Sequence, residues 1–177
     1  MISKIKVPMS QPAFDTETEN YMFDVIKSGW WSQGKITEQF EKNLSEYFPS
    51  NAIVVNNGTS AITAALLAHG IKPGDKVVVP DYTFIATCSA AKIIGAEILV
   101  ADVDPNTLNV RPESIEKLVK ENDVKAVIVV DMAGLPVDLE SIIELSKRYK
   151  FVLIEDAAQA IGSEYKNKKI GSFEHTT

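Results

Sequence analysis

The chain has 177 residues, 45% of them apolar, and a formal net charge of −6. That length suits one domain of ordinary size or part of a larger one, with enough apolar side chains for a sizeable core. The acidic balance argues against non-specific nucleic-acid binding, and without a run of about 18 apolar residues no membrane span is expected.

Residues 15–28 predict an amphipathic helix, with Tyr21, Phe23, Val25 and Ile26 set among acids and lysines. Residues 36–48 predict a second, through Ile36, Phe40, Leu44, Tyr47 and Phe48 at three- and four-residue spacings, and Pro49 ends it. Extended and helical patterns then alternate. Ala52-Ile53-Val54-Val55 reads as a short buried strand, Ala61 to His69 as a helix closed by Gly70, and Pro73-Gly74-Asp75 as a turn. Further strands are expected at 76–80, 97–103, 125–130 and 151–155, with helices over 83–94, 112–121 and 137–149. Gly95 closes the first of these helices and Pro112 opens the second. Such regular units predict a mostly parallel sheet with helices on both faces. Residues 162–172 break the pattern, and Asn167 between Lys166 and Lys168 suggests a short hairpin.

Two features bear on compartment. Met1-Ile2-Ser3-Lys4-Ile5-Lys6 lacks the long apolar core of a signal peptide. Cys88 is the single cysteine, so no internal disulfide can form, and the cytoplasm is the expected location. A catalytic Cys88 would need a base from His69 or His175; a buried small hydrophobe is the simpler reading.

Three segments carry chemistry. Asn56-Asn57-Gly58-Thr59-Ser60-Ala61 opens a helix, where Gly58 allows close backbone approach and Thr59 and Ser60 offer hydroxyls beside free N–H groups. That combination suits a phosphate, although Thr and Ser are also ordinary N-caps. Neither the Gly-Lys-Ser/Thr ending of a Walker loop nor a dinucleotide glycine pattern is present. Pro80-Asp81-Tyr82-Thr83-Phe84 follows a strand on the same sheet edge, and Tyr82 or Phe84 could stack on a flat ring or pack in the core. Phe151-Val152-Leu153-Ile154 ends in Glu155-Asp156-Ala157-Ala158-Gln159-Ala160. An ionised carboxylate at a strand end needs a partner. For Asp156 that partner is a protonated ring nitrogen, as in pyridoxal phosphate, or else a helix cap or a nearby lysine. Gln159 could reach the ring's phenolic oxygen. All three segments on one sheet edge fit a single ligand.

Together they resemble the DegT/DnrJ/StrS family of sugar aminotransferases, pyridoxal-phosphate enzymes of fold type I. Similar segments run nearly the whole length: Val7-Pro8, Ser28-Gly29-Trp30-Trp31-Ser32-Gln33-Gly34, Phe40-Glu41, Asn57-Gly58-Thr59-Ser60-Ala61, Pro73-Gly74-Asp75-Lys76-Val77, Pro80, Thr83-Phe84, Gly95-Ala96, Asp102-Val103-Asp104, Thr107-Leu108-Asn109, Gly134-Leu135-Pro136-Val137-Asp138 and Glu155 to Ala160. The resemblance implies a three-layer α/β large domain with a mostly parallel sheet, divided here into an N-terminal helical segment, 1–50, and a partial cofactor-binding domain, 51–177. It implies that Gly58, Thr59 and Ser60 hold the cofactor phosphate, Phe84 stacks on the ring, Asp156 pairs with the pyridine nitrogen and Gln159 contacts the phenolic oxygen. Trp31 and Ser32 would border the sugar-nucleotide pocket, while Trp30 and Trp31 equally suit an interface or core. The implied reaction moves an amino group, usually from glutamate, to a nucleotide-linked keto-sugar in a homodimer, with the pyridoxamine form arising in turnover.

The sequence departs from the family at two places. Asp131-Met132-Ala133-Gly134 lacks the aromatic that commonly precedes this glycine. The family's cofactor-anchoring lysine, last sheet strands and small C-terminal domain are expected beyond Thr177, while Lys166, Lys168 and Lys169 read as a solvated hairpin. A chain so arranged is expected to be a fragment with open sheet edges that pair with another chain or rearrange. A related dehydratase, which has histidine for that lysine, and a non-catalytic assembly fragment are the alternatives.

Overall fold

The computed structural model describes residues 12–177, so Val7-Pro8 and the N-terminal Met1 to Lys6 lie outside the described residues. The chain falls into two compact units, residues 1–40 and 41–177.

In the first unit, α1 (Thr16–Ser28) is set by its ends. Asp15 caps it by accepting from the Thr18 N–H at 2.9 Å, Glu17 and Glu19 suit the positive N-terminus, and Gly29 at φ 70° closes it. Its Tyr21, Met22, Phe23 and Ile26 are exposed. In the turn that follows, the Trp30 indole N–H donates to the Gln33 carbonyl at 2.9 Å, and a Cβ on Gly34 would lie 2.6 Å from Trp30 Nε1. Trp31 donates to the Ile26 carbonyl at 3.3 Å and stays 77% exposed, with Ser32 beside it. α2 (Lys35–Tyr47) gives its first residues to this unit and the rest to the second.

The second unit continues through α3 (Gly58–Ala68), β1 (Lys76–Pro80), α4 (Ala86–Ile93), β2 (Glu97–Ala101), α5 (Pro112–Glu121), β3 (Val124–Val130), α6 (Leu139–Tyr149), β4 (Val152–Asp156), β5 (Glu164–Tyr165) and β6 (Lys168–Lys169). The first four strands form one parallel sheet in the order β2-β1-β3-β4. Strand alternation divides the core in two. Val77, Val79, Ala126, Ile128 and Ile154 pack with Ile62, Leu66, Ala90 and Ala91 of α3 and α4. Val78, Val127, Val129 and Leu153 face the opposite way, against Ile115, Leu139, Ile142 and Leu145 of α5 and α6. A sheet covered on both faces explains its near-continuous valine and isoleucine runs. The expected three-layer α/β arrangement is present.

One expected strand is not. Among the described residues, 52–55 pair with no strand, and Ile53 is 84% exposed. Their backbone is held by side chains of α2 and its neighbourhood: Ala52 N donates to Ser45 Oγ at 3.0 Å and Val54 N to Glu41 Oε1 at 2.9 Å. An apolar β-branched run becomes a strand only where a ladder partner lies beside it. Elsewhere the differences are at ends: α3 starts at Gly58 rather than Ala61, α4 at Ala86 rather than Thr83, and Cys88 is half-buried rather than buried. The hairpin is present, with Lys166 and Asn167 at φ 50° and 65° in its turn. Beside β4, Thr176 forms a parallel bridge with Ile154, and its carbonyl accepts from Glu155 N at 2.8 Å.

Candidate active site

Because the strands are parallel, the carboxyl ends of β1, β3 and β4 open on one edge, where ligands bind in such sheets. α3 packs against both α4 and β4. Its N-cap is Asn57, whose side chain accepts from the Ser60 N–H at 2.9 Å. The Thr59 and Ser60 hydroxyls therefore take no part in the cap, and both residues are half-buried behind an exposed Gly58 with open space where a Cβ would stand. A helix start with hydroxyls to spare can bind an anion.

Asp156 ends β4 on the α3/α4 side, two residues beyond Ile154 of that core. Among the described residues its side-chain partners are neutral: Thr87 Oγ1 donates to Oδ2 at 3.2 Å and Ala158 N to Oδ1 at 3.2 Å. Thr87 is fully buried in α4 and also meets Thr83 Oγ1 at 2.8 Å. Two neutral donors orient the carboxylate without cancelling its charge, which leaves it able to hold a cation. Phe84 and Tyr82, in the turn between β1 and α4, are outside the core, Phe84 at 71% exposure. Gln159 lies past the end of β4, and its Oε1 accepts from Ala133 N at 2.8 Å. Trp31 and Ser32 belong to the first unit.

The opposite side of the same strand ends holds a cluster that sequence reasoning missed. Glu155 faces the α5/α6 core side, and its Oε2 meets His175 Nε2 at 2.9 Å and accepts from Thr177 Oγ1 at 3.1 Å. Asp131, just past β3, is fully buried and accepts from Val137 N at 2.9 Å through Oδ1. Burial, and then the charge of Glu155, push the Asp131 carboxyl up to about 7. Among the described residues, Asp131 Oδ2, Glu155 Oε1 and His175 Nδ1 have no hydrogen-bond partner. An acid directly after a strand suits an exposed turn as readily as a buried site, so the sequence carried no sign of this cluster.

Comparison with known proteins decides the family. The model of the DegT/DnrJ/EryC1/StrS aminotransferase family matches residues 12–177. The chain belongs to this family. Among solved structures it is similar to an aminotransferase from Psychrobacter cryohalolentis, at 37% identity and TM-score 0.85, over 93% of this chain and 42% of that one. It is similar to 3-amino-5-hydroxybenzoic acid synthase at 30% identity and TM-score 0.87, covering 94% and 44%. A third is a sugar aminotransferase, Spr1654 from Streptococcus pneumoniae in its pyridoxal-phosphate form, at 28% identity and TM-score 0.85, covering 94% and 46%. The chain thus spans less than half the length of these relatives, and it has the fold of part of a type I aminotransferase. Among the described residues no helix is long and apolar enough to cross a membrane.

Proposed function

We propose that this member of the DegT/DnrJ/EryC1/StrS family supplies the cofactor-binding part of a cytoplasmic aminotransferase. That enzyme would move an amino group from an amino acid, with glutamate as the donor, to a nucleotide-linked keto-sugar. In functional terms 1–50 is the N-terminal helical segment and 51–177 the cofactor-binding portion. The carrying observation is Asp156, a carboxylate at a strand end on the α3 side, oriented by Thr87 and Ala158 yet unneutralised. Pyridoxal phosphate fits that donor set. Its protonated ring nitrogen suits Asp156, its phosphate suits Gly58, Thr59 and Ser60, its ring face suits Phe84, and its phenolic oxygen suits Gln159. When bound it supplies an electron sink for the reacting amine. In that arrangement Asp156 would hold the proton on the ring nitrogen, and the α3 residues would hold the phosphate. The hairpin lysines do not take the anchoring role: Lys166 pairs with Glu140, and Lys168 and Lys169 sit over the Phe173 and Tyr47 rings. We place that anchor outside these residues.

Trp31 and Ser32 border the sugar-nucleotide pocket in this proposal, and the exposed apolar residues of α1 serve a homodimer. Titrating the chain with pyridoxal phosphate, followed by visible absorbance, tests the site. Asp156→Asn should weaken binding about tenfold, the order expected for one charge-assisted hydrogen bond. Pyridoxal lacking the phosphate should bind more weakly than pyridoxal phosphate, and Thr59→Ala with Ser60→Ala should narrow that gap. Equal binding of the two compounds, unchanged by Asp156→Asn, would rule the site out.

A further inference from the structure

We infer that Asn109 is a positioning residue for Gln159, acting through residues 132–135 to fix which end of the Gln159 amide faces the ligand. This rests on the proposed role of Gln159 beside a phenolic oxygen.

The geometry begins in the turn at 104–109. Asp104 Oδ1 accepts from Asn106 N at 2.8 Å and from Thr107 N at 3.1 Å, and Asp104 N donates to the Asn109 carbonyl at 2.9 Å. Leu108 takes φ 61°, a left-handed value that a leucine adopts only when its surroundings impose it. The turn so built buries the Asn109 side chain. Both halves of that amide are then used on one segment. Asn109 Oδ1 accepts from Met132 N at 3.0 Å, and Asn109 Nδ2 donates to the Leu135 carbonyl at 2.8 Å.

Between those two anchor points the chain is strained and its N–H groups are all paired. Ala133 and Gly134 have φ 54° and 82° in succession. Ser163 Oγ donates to the Gly134 carbonyl at 2.7 Å, and Gly134 N and Leu135 N donate to the Asp131 and Met132 carbonyls at 3.2 and 3.0 Å. Every N–H from Met132 to Leu135 has a partner, and that of Ala133 is Gln159 Oε1. A backbone N–H can only donate, so the amide atom facing Ala133 is the oxygen, and Nε2 is turned away as a donor. A donor suits an ionised phenolic oxygen; the reversed amide would present a lone pair to it. Asn109, on a different loop, thus determines the polarity that Gln159 offers to the ligand.

The test has a ligand-free arm and a ligand arm. In the ligand-free chain, amide hydrogen exchange at Ala133 should be slow, and both Gln159→Ala and Asn109→Ala should speed it at least about tenfold, as for loss of one ordinary hydrogen bond. Unchanged exchange in Asn109→Ala, with β3 amides still protected, overturns the inference whether or not the cofactor binds. In the ligand arm, pyridoxal phosphate is titrated against pH by absorbance. Both single variants should raise the pH at which the phenolic oxygen of the bound compound ionises. The double variant should be no worse than Gln159→Ala alone, because two residues acting through one contact are not additive. Independent, additive shifts would overturn the inference. Should Asn109→Ala fail to fold, Asn109→Asp keeps the acceptor for Met132 N and sets a carboxylate oxygen against the Leu135 carbonyl in place of the donated bond. It should shift both readouts in the same direction, and a variant with neither shift would count against it. No pyridoxal-phosphate binding in any variant removes the proposed function while the exchange arm still decides the role of Asn109.

Discussion

Asp131→Asn should stabilise the protein at alkaline pH and leave it unchanged in acid. Asp131 is buried, with one oxygen serving Val137 N and the other unpartnered near an equally unpartnered oxygen of Glu155. Its pKa is raised from 3.8 to about 7 by burial first and by the Glu155 charge second. Between those values the native state binds more protons than the unfolded chain, so stability falls as pH rises from about 4 to about 7 and is level above that. The rise of roughly three units sets a ceiling of ~4 kcal/mol at about 1.4 kcal/mol per unit, and relaxation around the charge reduces it to about 1–3 kcal/mol. Asparagine keeps the acceptor for Val137 and offers an N–H to Glu155 with no charge to bury. Urea unfolding of both proteins at pH 4.5, 6 and 8 checks this, since titrations common to both cancel in the difference. The variant should be the more stable at pH 8, with the gap closing toward pH 4.5. A wild type at least as stable as the variant at pH 8, or a gap independent of pH, would refute the reasoning.

Other substitutions probe the frame around the site. Asn57→Ala removes the α3 cap and should cost about 1 kcal/mol in urea unfolding, while raising no new barrier to anion approach. Gly134→Ala combines φ 82° with a Cβ 3.1 Å from the Gln159 carbonyl and should cost on the order of 1–3 kcal/mol, with altered amide shifts at Gln159 by NMR. Ile142→Ala, fully buried between α6 and the sheet, should cost about 2–5 kcal/mol and lower Tm without changing the α3 side.

Most of the sheet was legible because its strands carry their burial in their composition. Val77 to Val79 and Ala126 to Val130 are buried on both faces, and no amphipathic alternative competes with such a run. Helix ends were legible where a cap states them, as at Gly95 and Pro112. Residues 52–55 misled for a physical reason: strand propensity describes fit to a neighbour, and the stretch has Ser45 and Glu41 side chains for partners instead of a ladder. Asp156 and Gln159 could be proposed from their place just past a buried strand. Asn109, Asp131 and His175 could not, because each acquires its role from a partner more than five residues away, and an isolated Asn, Asp or His at a loop carries no sign of that.

The two carboxylates at the end of β4 show how one strand can serve opposite electrostatic ends. Alternation sends Asp156 toward α3 and α4 and Glu155 toward α5 and α6. Asp156 meets neutral donors and an open edge, so its charge remains available to a ligand. Glu155 meets His175 and Thr177, so its carboxylate is hydrogen-bonded within the protein. A one-residue slip of β4 would exchange them, turning Asp156 toward α5 and α6 and Glu155 toward the open edge beside α3. The register of β4 against β3, with Val130 opposite Asp156 and Asp131 N donating to the Asp156 carbonyl at 3.2 Å, therefore decides which of the two carboxylates faces the proposed site.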